Sequence, residues 1–386
     1  MHYVIGDVHG CYEDMMVLLA KIEAEDADAQ IIFVGDFIDR GPMVWETLCW
    51  AREHITADGK YQSVRGNHEQ MAIDYINSYN RWYAENIEPW QPHQSEPGCQ
   101  YDIDRVLHDH ISGSGISGML HPRDLQPYLE FFEDMPYDKL LKLQSVWGRE
   151  MSFRIVHAYY EHNDLPAEQQ HYSNLWMRMD CGNLESDEIH VHGHTPTFNL
   201  DYISYDITNT KPGMISYRKN DINVDGGCTF AKIFPEFPDM LCAIRLEDLE
   251  EIYPCTIGER YAQIAQRYKL DFDADVSASF YSKEFMEHRF RIREQLLRKM
   301  GHPDFQNRVS DESDHQPGSP KYMEGEDITF FVDGKQMTGT IDFVYEWGMQ
   351  NDRSQPYYGI LVNDRGTFMM YQEIPESDIA EEEDED

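Results

Sequence analysis

Positive charge is scarce in this chain: 32 Lys and Arg stand against 71 Asp and Glu, a formal net charge of −39 over 386 residues. Such a surface repels nucleic acid and anionic membranes over most of its area. A phosphate-bearing ligand would need local cations, either a few arginines or bound metal. The seven cysteines, at 11, 49, 99, 181, 228, 242 and 255, are odd in number and include no C-x-x-C. That argues against a disulfide framework and a zinc knuckle, and is the usage expected of reduced thiols in a cytoplasmic protein. No window approaches 18 apolar residues, and MHYVIGDVHG enters a strand at once. Neither a secretion signal nor a membrane span is therefore expected. Internal repeats are lacking too. Hydrophobic residues nevertheless make up 41% and aromatics 13%, enough for a real core at this length.

The first half alternates short β runs with helical patterns. HYVIG (2–6), QIIFVG (30–35) and YQSVRG (61–66) each end in glycine, and CYEDMMVLLAKI (11–22) and VWETLCWAREHI (44–55) carry apolar residues at helical spacing between them. This βαβαβ pattern implies parallel strands whose C-terminal ends carry the chemistry. Strands return at MSFRIVHAY (151–159), IHVHGH (189–194), DINVDGG (221–227) and MLCAIRL (240–246). An α/β sandwich flanked by helices fits, followed by a helical extension over 251–308 and a linker over 309–326. Alternating runs over 327–379, broken at Asp333-Gly334 and Arg365-Gly366, predict a small antiparallel β unit of SH3-like type. An acidic tail, 380–386, closes the chain.

Several signals carry little. GSGISG (113–118) satisfies G-x-G-x-x-G but follows LHDHIS rather than a strand, so it does not mark a dinucleotide site. His108, His110 and His121 read as loop or surface histidines, and the basic stretch 289–299 as a solvated helix face. Others converge. GDVHG places Asp7 and His9 two apart at a strand exit, GDFIDRG supplies Asp36, Asp39 and Arg40, and GNHE supplies Asn67 and His68. His157 ends FRIVHA and His194 ends HVHGHTP. Five β runs that each end in an oxygen or imidazole donor, without thiolate, suit a hard or borderline divalent metal.

These blocks resemble the calcineurin-like metallophosphoesterases, and within them the PPP-type phosphoprotein phosphatases of bacteria and phage (lambda-like). The likeness rests on GDVHGCYEDM, GDFIDRGP, VRGNHEQM, IVHAY, LWMR and HGHTP, in the family's order across residues 1 to 245. It implies a metallophosphoesterase β-sandwich with helices outside it, α/β/β/α, as a catalytic domain over 1–250. It further implies two divalent ions, Mn²⁺ foremost with Fe or Zn²⁺ as alternatives. Asp7, His9 and His194 would hold the first ion, Asp36 would bridge, and Asn67 and His157 would complete the second. An anionic bridge offsets the repulsion of two dications roughly 3.5–4 Å apart, and the pair acidifies water to a pKa of roughly 7 for in-line attack on phosphorus. Arg40 and Arg178 would clamp phosphoryl oxygens, and His68, paired with Asp39, would protonate the leaving group. His190 and His192 are expected to pack or support, and Asp225-Gly226-Gly227 to form a strand-end turn.

The implied activity is hydrolysis of phosphomonoesters, with phosphoserine and phosphothreonine proteins as substrates. Symmetrical diadenosine tetraphosphate hydrolysis is the alternative, sharing GDxHG, GDxxDRG and GNHE, and a phosphoesterase acting on RNA is a third. The segment 77–135 is longer than compact relatives have and is expected to shape the substrate site, while the C-terminal β unit is a candidate for partner binding.

Overall fold

Tyr3 and Ile5 leave strand β1 (His2–Ile5) on one side and Val4 on the other, and each side joins a different core. The same period of two recurs in β2 (Gln30–Phe33), where Ile31 and Phe33 face the first core and Ile32 the second. Strands with both faces apolar must be covered on both sides. In this computed structural model helices cover one side and a second sheet the other. The model describes mainly residues 1–85, 121–162, 165–178, 187–197, 213–230, 240–256, 293–306, 327–345 and 357–380. The decoy at 113–118, His108, residues 86–105 of the insert, the first part of the basic stretch and the acidic residues 381–386 lie outside the described residues.

Two compact units emerge, residues 1–305 and 306–386. In the first, β1 pairs in parallel with β2, which pairs in parallel with β3 (Tyr61–Ser63). On β1's other edge lies β9 (Ala243–Arg245), antiparallel to β1, and beyond it β10 (Glu251–Ile252), antiparallel to β9, giving the order β10-β9-β1-β2-β3. Helix α1 (Tyr12–Glu25) buries Met15, Leu18, Leu19 and Ile22, spaced to form one stripe against this sheet. Helices α2 (Val44–His54), α3 (Asn67–Glu85) and α4 (Pro122–Glu133) add Leu48, Ile76 and Leu129 to the same layer.

The second sheet runs β4-β5-β6-β8-β7, from β4 (Asp138–Gln144), β5 (Glu150–Val156), β6 (Glu188–His192), β7 (Ser216–Arg218) and β8 (Asp221–Asn223). Strands β5, β6 and β8 are mutually parallel. Phe153, Ile155, Ile189, Val191 and Ile222 meet Val4, Ile32, Val34 and Ile244 of the first sheet, so the sheets stack face to face. Arg154, Glu188, His190 and His192 alternate to the outer face. Each strand stops one to four residues before the sequence pattern suggests, because the chain turns off into the loops that carry the polar residues. Short helix α5 (Ala167–Trp176) lies between β5 and β6 in sequence.

The C-terminal unit is an antiparallel meander, β11 (Asp327–Val332), β12 (Lys335–Tyr345), β13 (Tyr357–Asp364) and β14 (Thr367–Pro375). Phe330, Ile341, Tyr358 and Ile360 form its core, and a bridge from Phe330 to Ile379 returns the chain to the first strand. No helix among the described residues is long and apolar enough to cross a membrane.

Candidate metal centre

The loops after β1, β2, β3, β5, β6 and β8 come together at one end of the stacked sheets. Their backbones are unusual. Of the six non-glycine residues with positive φ among the described residues, five are His9 (42°), Asp36 (55°), Asp39 (69°), Arg40 (67°) and His194 (65°). Left-handed backbone costs an L-residue on the order of 1–2 kcal/mol, so these turns need outside support. Backbone bonds supply part of it: Val8 and His9 both donate N–H to the Asp36 carbonyl, at 3.1 and 2.7 Å.

Two glycines are required by their closeness to carboxylates. A Cβ on Gly66 would stand 2.1 Å from Asp36 Oδ1, and one on Gly193 would stand 2.0 Å from Asp7 Oδ1. Any side chain at either position would push a carboxylate out of place.

Asp36 lies at the middle of the cluster. Its Oδ2 is 3.3 Å from His9 Nε2, 3.5 Å from His157 Nε2 and 3.8 Å from His68 Nε2. Asp7 Oδ2 is 4.0 Å from His9 Nε2, and the backbone N–H of His194 donates to both Asp7 oxygens. His157 Nε2 sits 2.8 Å from Asn67 Oδ1 and 3.2 Å from His194 Nδ1, which is itself 2.9 Å from Asn67 Oδ1. The structure thus brings together Asp7, His9, Asp36, Asn67, His157 and His194. The sorting differs from the resemblance: the His194 imidazole meets Asn67 and His157, His194 reaches Asp7 only through its main chain, and Asp7 groups with His157 while His9 groups with His68.

The proton positions test whether a cation fits. His9 Nδ1 and His157 Nδ1 lie 2.8 Å from the carbonyls of Ile38 and Val34, so each Nδ1 carries the hydrogen and donates it. Burial drives both imidazoles toward the neutral form, and their pKa values fall despite the Asp36 charge. Each Nε2 therefore presents a lone pair. That of His157 faces the Asn67 carbonyl oxygen at 2.8 Å, acceptor against acceptor. His194 Nε2 is buried without a partner, and its pKa is pushed down to about 2 by burial and then by His157. The His157 Nε2 and Asn67 Oδ1 lone pairs meet at one buried spot and repel one another unless a cation lies beside them.

Charge says the same. Asp7, Asp36, Asp39 and Asp225 are all at most 5% exposed. Burial, Asp225 and Asp36 raise the Asp7 pKa well above the carboxylate range. Burial also acts to raise Asp36, but His157, His68 and His9 outweigh it and hold that carboxyl low. Buried charge of this density is normally paired or metal-bound. The nearby guanidinium groups leave these carboxylates unpaired: Arg40 meets the imidazoles, His9 Nε2 at 2.5 Å and His68 Nε2 at 3.1 Å, and Arg178 meets the His194 carbonyl at 3.2 Å and Thr195 Oγ1 at 2.9 Å. Two groups could hold an ion, Asp7–Asp36–His157 and His9–Asp36–His68, with ligand atoms within 4.8 Å in each and Asp36 common to both. The donor set of carboxylate, imidazole and amide oxygen suits a divalent transition metal.

His68 Nδ1 is 2.6 Å from Asp39 Oδ2, leaving Nε2 facing the cluster. Burial lowers the His68 pKa, yet Asp36 and Asp39 outweigh it and the result is raised.

Glu69 has a part that reading the sequence did not assign. Fully buried, it accepts N–H bonds from Asp36 (2.7 Å), Phe37 (2.9 Å) and Gly66 (3.0 Å), clamping the loop after β2 to the loop after β3. Burial, then Asp36, raises its pKa to about 7. The clue was available: a carboxylate in the first turn of a helix, beside a Gly, accepts main-chain N–H groups. Asp225 forms the expected turn, with Oδ1 accepting from Gly227 N–H at 3.0 Å, but its Oδ2 is buried without a partner. His192 bonds to Asp221 at 3.1 Å and His190 faces His162, both on the outer face of the second sheet.

A family model described as calcineurin-like phosphoesterase matches residues 3–224 of this chain. Over 79 residues the chain is 38% identical to a symmetrical bis(5'-nucleosyl)-tetraphosphatase of Methylobacillus flagellatus, covering 20% of this chain and 27% of that protein. Over 73 residues it is 42% identical to serine/threonine-protein phosphatase 1 of Salmonella typhimurium, covering 19% of this chain and 31% of that protein. The alignments thus span less than a third of either relative. A solved metallophosphoesterase from Sphaerobacter thermophilus superposes with a TM-score of 0.32 at 14% identity, over 76% of this chain and 98% of that one.

Proposed function

The chain belongs to the calcineurin-like phosphoesterase family, and from that premise we propose that it hydrolyses phosphomonoesters with two divalent cations, its substrates being phosphoserine and phosphothreonine in proteins. The observation that carries the reading is the position of Asp36, whose Oδ2 lies 3.3 Å from His9 Nε2 and 3.5 Å from His157 Nε2, so that one carboxylate can serve two ions. When bound, two dications polarise a phosphoryl oxygen and acidify water to a pKa of roughly 7. Mn²⁺ is the proposed metal, with Fe or Zn²⁺ compatible with the same donors.

The chain's own residues do the rest. Asp7, Asp36, His9, Asn67, His157 and His194 hold the cations, Asn67 without adding negative charge against the substrate. Arg40 rests on the His9 Nε2 lone pair and lies 3.1 Å from His68 Nε2. With the His9 lone pair engaged by a cation, that guanidinium would be free to take two phosphoryl oxygens in a planar fork. Arg178 approaches from the loop after α5 and adds a second fork. His68 donates a proton from Nε2 to the departing oxygen, while Asp39 at Nδ1 fixes the ring and favours its charged form. Glu69 keeps the Asp36 and Asn67 loops in register.

A second reading rests on the Methylobacillus relative: the same residues would cleave symmetrical diadenosine tetraphosphate. A panel of phosphopeptides, diadenosine tetraphosphate, cyclic nucleotides and an aryl phosphate, assayed with manganese and ranked by kcat/KM, separates them. Phosphopeptides should rank first; diadenosine tetraphosphate ahead of them would replace the protein-phosphatase reading.

A further inference from the structure

A third group of potential ligands lies away from the candidate centre. His162, Glu188 and His190 bring ligand atoms within 4.8 Å of one another. Glu188 and His190 are two apart on β6, so both leave its outer face while Ile189 and Val191 enter the core. His162 comes from the segment that follows β5, the parallel neighbour of β6. Its Nε2 meets His190 Nε2 at 2.7 Å with the rings stacked 4.9 Å apart. The catalytic candidates, in contrast, stand in the loops beyond the strand ends.

The surroundings are built to hold the carboxylate. Arg154, opposite His190 in the β5–β6 register, donates to both Glu188 oxygens at 2.8 and 3.0 Å. Its other arm meets Asp138 at 2.6 Å. Asp138 and Glu188 share Arg154, so two carboxylates and one guanidinium carry net negative charge beside the two imidazoles.

Two Nε2 atoms this close cannot both present lone pairs without repulsion. Either they share one proton, or both face a cation. Zn–N bonds of about 2.0–2.1 Å at a tetrahedral angle place two ligand nitrogens about 3.3 Å apart. Opening the present gap by that much needs only a small movement of His162, which is exposed. Two imidazoles and one carboxylate, without thiolate and with a coordination position left for water, are the donors of a borderline dication and too nitrogen-rich for Mg²⁺ or Ca²⁺. We propose that His162, His190 and Glu188 form a Zn²⁺-class cation site on the outer face of the second sheet, separate from the catalytic centre.

The test counts metal rather than turnover. Full-length protein, stripped by chelator, is dialysed against buffered free Zn²⁺ and its zinc is measured by atomic emission. Wild type should hold one equivalent per chain more than His162→Ala at zinc concentrations that fill the wild-type chain. The variant should need at least about 100-fold more free zinc for that equivalent, because losing a ligand costs more than losing an outer partner. His162→Cys, which restores a donor, should regain it. Because His162 is exposed, its replacement does not threaten folding, and circular dichroism of the variant checks this. Equal zinc content in wild type and His162→Ala across the titration would overturn the site and leave a pair of imidazoles sharing a proton.

Discussion

Replacing His68 by Asn isolates the proton-transfer step. Asn can still donate to Asp39 Oδ2, so the change removes the proton held at Nε2 while sparing that buried carboxylate much of its pairing, which is otherwise 2.6 Å from His68 Nδ1. Asp39 is 5% exposed and its Oδ1 already lacks a partner, so an unpaired Asp39 would cost about 1–3 kcal/mol. Alanine would incur that cost and blur the result. A positioned general acid is worth about 10²–10⁴-fold, or about 3–5 kcal/mol of barrier. The full loss should appear with alkyl phosphates such as phosphoserine peptides, whose leaving alkoxide needs the proton. An aryl phosphate expels a stable phenolate, and its kcat should fall less than about tenfold by the same Brønsted reasoning. The assay compares kcat for both substrates under manganese saturation, with metal content measured on the same samples. Equal losses on both, at unchanged metal content, would refute His68 as the acid.

Asp36→Asn removes the carboxylate common to both donor groups. Metal per chain should fall and activity should drop at least about 10²-fold, several kcal/mol of lost charge stabilisation, checked by atomic emission and aryl phosphate turnover. Glu247 accepts from the His2 main chain at 3.0 Å and its ring at 2.7 Å; burial raises its pKa, but those bonds outweigh it and the result is lowered. A lowered carboxyl stabilises the fold above its unfolded pKa and loses that contribution as pH falls through its folded pKa. The melting temperature of Glu247→Gln should accordingly lie below wild type at neutral pH and converge with it in acid. Ile32→Ala opens a hole between the two sheets at a fully buried position and should cost about 2–5 kcal/mol by denaturant unfolding. Chelation should lower the melting temperature of wild type, since each ion held at 100 times its dissociation constant adds about 2.7 kcal/mol; a melt unchanged by chelator would contradict a filled centre.

Strand periodicity made the sandwich legible. Val4 and Ile32 alternate with Tyr3, Ile5 and Phe33, and no arrangement but cover on both faces buries them all. The polar residues at the strand ends were equally visible, and the loops do bring those side chains together. Less visible was anything set by backbone reversal. The positive φ of His194 turns its imidazole toward Asn67 and leaves its N–H on Asp7, an orientation that strand alternation does not convey. Glu69 escaped because its partners Asp36 and Phe37 lie more than 30 positions away and offer only main-chain N–H groups. His162 escaped for a similar reason: its partner lies 28 positions on, across a parallel sheet register that is tertiary information.

Strain and buried charge fall on the same residues, and one cause explains both. A carboxylate or imidazole at a strand end would by default point along the strand into water. Left-handed turns at His9, Asp36, Asp39, Arg40 and His194 bend these side chains inward instead. Each turn is unfavourable alone, and so is each inward charge. The loops therefore brace one another: His9 N–H on the Asp36 carbonyl, His68 N–H on Asp36 Oδ1 at 3.0 Å, and Glu69 across the Asp36 and Gly66 amides. A single loop that relaxed would release its neighbours' support as well as its own donor. Such mutual bracing fixes the donors through contacts within the chain itself, so that each is held by its neighbours. It also explains why Glu69, which faces no donor lone pair, is buried as completely as the side chains it positions.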